Sequence, residues 1–118
     1  MRTLLDIRVP VSIPPSYIPD EAQRVATYQR IGKLRNVNEV ELIAKELRDR
    51  FGQIPRPVRV LLGWIRIKLL ASEKGITKIR QIGDIFIFEQ KDRRKEISCP
   101  LGDAEDLIRS VEQMVGQL

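Results

Sequence analysis

The chain changes its hydrophobic period three times. From Leu5 to Val9 apolar and polar residues alternate, and the run then meets Pro10, Pro14 and Pro15, which have no amide hydrogen to give a neighbouring strand. Residues 1–19 are therefore expected to form an edge strand that continues as an extended arm through Tyr17-Ile18-Pro19. The spacing then becomes helical. Asp20 with Gln23 three residues later has capping-box spacing, because the two side chains can satisfy amides left open at a helix start. A first helix is predicted from about Glu21 to Leu34, with Val25, Tyr28, Ile31 and Leu34 on its apolar stripe. Asn38 with Glu41 repeats the capping logic, and Gly52 followed by Pro55 supplies a stop. The second helix is thus expected from about Glu39 to Phe51, burying Val40, Ile43, Leu47 and Phe51. Pro57 sits where a first helical turn tolerates proline, and a third helix runs to about Lys74 with Gly75 as its cap. Its apolar residues, from Val58 through Leu62 and Trp64 to Leu70, occupy more than one face, the pattern of a helix at the centre of a core.

After Gly75 the period becomes two. Ile76 to Ile82 and Ile85 to Phe88 are β-prone runs separated by Gly83-Asp84, which suits a tight hairpin. The charged stretch from Lys91 to Lys95 is expected as a turn leading to a third strand at Glu96 to Cys99. Pro100-Leu101-Gly102-Asp103 then introduces a last helix carrying Leu107, Ile108, Val111, Met114 and Val115. Strand, three helices, a hairpin or meander and a C-terminal helix make an α+β fold with a small antiparallel sheet. The order is not the alternating βαβ of a nucleotide-binding sheet. Residues 1–118 are expected to form a single domain, as their number suits one core.

Composition narrows the function classes. The chain contains no histidine and one cysteine, Cys99, so it has no zinc ligand cluster and no internal disulfide. It also lacks the commonest general base at neutral pH. The seven glycines, at positions 32, 52, 63, 75, 83, 102 and 116, are isolated and build no phosphate-binding loop. Asp103, Glu105 and Asp106 oppose the dipole of the last helix and need no cation to explain them. No catalytic residue set, cofactor or metal is expected. No segment has the length of an apolar membrane span, and the cysteine usage fits a reducing cytoplasm.

The net charge of +5 is regional: residues 56–95 hold 11 Lys/Arg against 4 Asp/Glu, and the remainder holds 10 against 12. A small nucleic-acid-binding module using the segment from Arg56 to Lys95 is one reading of that bias. Against it, aromatic residues are few, and Phe86 and Phe88 sit in an apolar run that looks like core.

On the second helix, the face opposite the buried stripe carries Leu42, Lys45, Glu46 and Asp49, and Arg50 flanks it. A solvated face with local Lys45 and Asp49 pairing accounts for this strip. So does a protein interface in which an apolar contact is flanked by acidic residues and an arginine.

An ordered series of short matches then resembles a known family. Tyr17-Ile18-Pro19-Asp20-Glu21, Arg24, Tyr28, Arg30-Ile31, Glu46-Leu47-Arg48-Asp49-Arg50-Phe51-Gly52 with Pro55, Leu61-Leu62, Arg66, Lys68-Leu69-Leu70-Ala71 and Gly75-Ile76-Thr77-Lys78-Ile79 are similar to the C-terminal domain of bacterial transcription-repair coupling factors. The resemblance covers about residues 8–80. It implies a non-catalytic regulatory domain of a large ATP-driven DNA translocase that removes stalled RNA polymerase and recruits excision repair. Such a domain packs on a UvrB-like module of the same protein, masks that module's UvrA-binding surface and restrains the motor. The family's contact residues match Glu46, Asp49 and Arg50. Leu42 joins them on helical geometry alone.

Overall fold

The computed structural model describes residues 4–6, 12–98 and 104–117. Its elements are β1 (Leu4–Asp6), α1 (Glu21–Gly32), α2 (Val37–Phe51), α3 (Arg56–Glu73), β2 (Ile76–Ile82), β3 (Ile85–Gln90), β4 (Arg93–Ser98) and α4 (Ala104–Gln117). This is the expected α+β arrangement, with β2, β3 and β4 forming an antiparallel meander. β1 adds to the meander edge as a parallel neighbour of β2, giving the order β1-β2-β3-β4. The chain divides into two compact units, Pro10–Arg66 and a second made of Met1–Val9 with Ile67–Leu118.

The helical unit is fixed by its ends. Asp20 caps α1 by accepting the Gln23 amide at 2.9 Å. α2 starts two residues earlier than the sequence suggests, because Asn36 and not Asn38 is its cap: the Asn36 side chain accepts from the Glu39 amide at 3.0 Å. Both asparagines have a glutamate three residues on, so local spacing does not choose between them. Glu39 completes the start by accepting the Arg35 amide at 3.2 Å. α2 ends at Gly52, whose φ of +89° lies where a side chain is strongly disfavoured. Val40, Ile43 and Leu47 are buried as the periodicity requires, and Ala44 joins them.

α1 departs from its expected stripe. Val25 and Tyr28 remain 49% and 40% exposed, and the buried positions are Thr27 and Ile31. Thr27 tolerates burial because its hydroxyl donates to the Gln23 carbonyl at 2.8 Å. Tyr28 instead turns its phenol to the arm, accepting the Ile13 amide at 2.6 Å.

In the sheet unit, Ile76, Ile79, Phe86 and Phe88 are fully or almost fully buried. A bulge between Ile76 and Lys78 makes this possible. Ile76 and Ile79 are three apart and would face opposite sides of a regular strand; the extra residue, Thr77, returns both to the face that carries Phe88. β3 also buries Ile87, so both of its faces are covered. The Gly83-Asp84 turn joins Ile82 to Ile85 with Gly83 at φ +59°, as a two-residue hairpin demands.

β4 begins at Arg93, not Glu96: the turn is only Lys91-Asp92, and Arg93 pairs with Gln90. A run of charges looks like a turn in sequence but is well suited to an exposed edge strand, where it resists pairing with other chains. The reading of Cys99 as part of that strand lies outside the described residues. α4 buries Leu107, Ile108, Val111 and Val115 along one face, with Met114 half-buried.

Candidate functional site

The strip singled out in the sequence lies on α2, and the arm before α1 holds the end of that helix in place. Two prolines and the turn at Pro14 to Tyr17 carry the arm past α1, with the Tyr17 and Ile18 amides both donating to the Pro14 carbonyl at 3.0 and 3.2 Å. Arg24 reaches back from α1 and donates to the carbonyls of Ile18 at 2.7 Å and Pro19 at 2.9 Å. Ile18 is completely buried.

Tyr17 makes the longest-range tie. Its hydroxyl lies 3.1 Å from the Leu47 carbonyl and 3.0 Å from that of Gly52, so one phenol hydrogen is shared between two acceptors at the end of α2. Its ring meets Phe51 at 5.8 Å between centroids, tilted by 59°. Burial pushes the Tyr17 phenol above its ordinary value, and the nearby Arg48 guanidinium opposes that shift in part. A buried phenol with a structural bond is a clamp, not a proton-transfer group.

The clamped helix presents Leu42 with 68% of its surface exposed. Lys45, Asp49 and Arg50 are exposed as well. The four sequence-selected residues do not form one uniform strip. Leu42 and Asp49, two turns apart, occupy the outermost line of α2. Glu46 leans towards α1, where its carboxylate accepts from the Arg30 guanidinium in an exposed ion pair. The Arg50 guanidinium sits 4.9 Å from the centre of the Phe51 ring, a cation–π contact that holds it beside the helix end. No ion pair joins Lys45 to Asp49 among the described residues, so the local pairing that a purely solvated face would use is not formed.

Sequence periodicity missed two features of this helix. Arg30 gave no signal as the partner of Glu46, since they are 16 residues apart. On the other flank, Glu41 accepts from Arg66 of α3 at 2.5 Å across 25 residues, and an open recess lies beside that pair.

No group of three His, Cys, Asp or Glu side chains is placed to hold a metal ion among the described residues. Among them, too, no helix is long and apolar enough to cross a membrane.

Comparison with known proteins gives a consistent set of relatives. The transcription-repair-coupling factor of Escherichia coli is 37% identical over 93 residues, covering 77% of this chain and 8% of the relative. That of Rickettsia prowazekii is 37% identical over 83 residues, covering 70% and 7%. That of Helicobacter pylori strain J99 is 28% identical over 108 residues, covering 91% and 11%. The chain thus spans only about a tenth of the length of these relatives or less. The fold is similar to a crystal structure of the C-terminal domain of transcription-repair coupling factor, with a TM-score of 0.71 over 77% of this chain and 56% of the other, at 22% identity. The family model of the TRCF domain matches residues 7–98, and on that span of sequence the chain belongs to the TRCF domain family.

Proposed function

We propose that this domain is a non-catalytic regulatory domain of a transcription-repair coupling factor, acting in transcription-coupled DNA repair in the cytoplasm. It docks on a UvrB-like module of the same protein, masks the UvrA-binding surface of that module and restrains an ATP-driven DNA translocase. The observation that carries this reading is the exposed line of Leu42 and Asp49 on a helix that Tyr17 clamps, in a chain that belongs to the TRCF domain family.

The physical roles divide by position. Leu42 supplies apolar area that is desolvated only when a partner covers it. Asp49 and Arg50 supply charges at the rim, which set register and partner choice more than affinity. Glu46 is half-buried and already paired with Arg30, so it reaches the partner as an ordered carboxylate with little side-chain entropy left to lose. Masking follows from competition: one surface cannot hold the regulatory domain and UvrA together, and whatever releases the domain frees both the surface and the motor. A protein partner also suits the aromatic residues better than a nucleic acid does, since Phe86 and Phe88 are 0% and 1% exposed and offer no base-stacking platform.

The test is charge reversal in the full-length parent, Glu46→Lys with Asp49→Lys, alongside the neutral Leu42→Ser. Each is expected to weaken docking on the UvrB-like module and to raise the basal ATPase. Loss of the Glu46 pair should cost the fold less than about 1 kcal/mol, because both side chains are more than a third exposed and the pair is screened by solvent. Unchanged docking and unchanged ATPase in all variants would overturn the proposal.

A further inference from the structure

The sheet unit sorts the charges of its edge strand between two faces. Where β3 pairs with β4, Lys95 lies opposite Phe88, Arg94 opposite Glu89 and Arg93 opposite Gln90. Directly opposed residues share a face, so Arg93 and Lys95 stand on the side that carries the buried Phe88, and Arg94 on the other. That other side is neutralised within itself: Arg94 pairs with Glu96 at 3.0 Å and Arg80 with Glu89 at 3.7 Å. The side chains of Arg93 and Lys95 are exposed and have no hydrogen-bond or ion-pair partner among the described residues. The turn beside them adds one charge of each sign, Lys91 and Asp92, which leaves the cationic pair standing.

These two cations line a cleft of about 390 Å³ together with Phe88, Gln90, Arg94 and Gln117. Its walls are tied in place: the Gln90 side-chain amide donates to the Lys74 carbonyl at 3.1 Å, and Lys74 Nζ donates to the Gly116 carbonyl at 3.2 Å near the end of α4. The second bond sets a positive charge against the negative end of the helix dipole. Phe88 is 1% exposed, so the cleft offers charge and polar groups and almost no apolar area. β4 is the outermost strand of the described sheet, and its two free cations stand at an open edge. Charge on an edge strand resists pairing with other chains, but either face serves that purpose. It does not account for one face being neutralised and the other left cationic.

We infer that this edge binds the phosphodiester backbone of duplex DNA, with Arg93 and Lys95 on neighbouring phosphates of one strand. Alternate side chains on one face of a β-strand are about 7 Å apart, comparable to the step between neighbouring phosphates along a nucleic-acid strand. Arg93 can meet phosphate oxygens with two parallel N–H donors, and Lys95 meets them as a point charge. A protein partner would draw its affinity from apolar anchors, for which the cleft has no room of the right kind. A single strand would need exposed rings on which to stack its bases, and the only aromatic residues of this unit, Phe86 and Phe88, are buried. A duplex keeps its bases stacked within itself, so the burial of those rings is no obstacle. Contact confined to the backbone reads no sequence. Arg93 and Lys95 belong to the sheet unit, and the proposed docking strip to the helical unit, so each surface can be altered without changing a residue of the other.

The experiment is fluorescence anisotropy of the full 118-residue chain with a dye-labelled DNA duplex of random sequence, over a series of salt concentrations. The single strand of the same length and a polyglutamate peptide serve as the other probes. The duplex is expected to bind best, with an affinity that falls steeply as salt rises. Arg93→Gln with Lys95→Gln should weaken it at least tenfold at low salt and lower the slope of log affinity against log salt by about 1.8, the loss of two phosphate contacts. Lys33→Gln with Arg35→Gln removes the same net charge from exposed positions of the helical unit and should leave the slope unchanged. Arg93→Lys with Lys95→Arg keeps both charges and should retain the slope, which separates loss of charge from loss of fold. Four results would each overturn the inference: no binding of the duplex at low salt, tighter binding of the single strand or of polyglutamate, an equal loss in the Lys33 and Arg35 variant, or an equal loss in the charge-keeping swap.

Discussion

Replacing Tyr17 by phenylalanine removes one oxygen and nothing else, so its effect can be worked out closely. The ring keeps its place against Phe51, and burial of the side chain, 9% exposed in the native protein, is retained. What is lost is one phenol hydrogen shared between the Leu47 and Gly52 carbonyls at 3.1 and 3.0 Å. A neutral hydrogen bond contributes about 1 kcal/mol, and leaving a partly buried acceptor without its partner adds to that loss, so Tyr17→Phe should destabilise by about 1–2 kcal/mol. For a chain of this size that lowers the melting temperature by roughly 3–10 °C.

The same bond carries a pH signature. Burial favours the neutral phenol, which raises its pKa in the folded state above the unfolded value. Above the ordinary phenol pKa the unfolded chain gives up the Tyr17 proton before the folded one does. The stability from this group is therefore complete below that pH and is lost as pH rises through the folded value. Urea titrations of the parent and Tyr17→Phe, followed by circular dichroism, should show a margin that is constant at neutral pH and shrinks in the alkaline range. The subtraction removes the lysines and Tyr28, which both proteins share. A neutral-pH margin below about 0.5 kcal/mol, the range of ordinary surface substitutions, would refute the clamp. So would a margin that stays constant through the alkaline titration.

Two further outcomes follow from the packing. Gly52→Ala places a side chain at φ +89° where it meets no atom within 4 Å, so its cost is purely conformational: about 1–3 kcal/mol by denaturant titration, with no relief from enlarging neighbouring space. Phe86→Ala empties the centre of the sheet unit, where that ring is fully buried, and should cost about 3–5 kcal/mol, with loss of slow amide exchange measured first in β2 and β3.

The departures from the sequence expectations share a pattern. Val25 lies on a regular helical stripe with Ile31, yet one is 49% exposed and the other 4%, because periodicity identifies a face but not how far a neighbour covers it. Asn36 and Asn38 have equal local credentials as caps, and only the folded chain selects Asn36. Arg93 to Lys95 look like a turn because strands are recognised by their buried faces, and an exposed edge strand has none to recognise.

What the sequence determined by itself was local: the helical period of α2, its stop at Gly52, the inward line of Val40, Ile43 and Leu47, and hence the outward position of Leu42. Those follow from spacings of three and four residues, which every α-helix converts into faces in the same way. The tertiary structure alone decided who meets across long separations. Tyr17 reaches carbonyls 30 and 35 residues away, Glu46 is drawn to Arg30, and Glu41 to Arg66. It likewise set the parallel pairing of β1 with β2, and the bulge that turns Ile76 and Ile79 to one face. The reach of a side chain depends on how helices cross and loops close, and no repeat in the sequence encodes that geometry. The recess beside α2 is of this second kind: its lining residues are far apart in the sequence and meet only when α2, α3 and their connection are brought together.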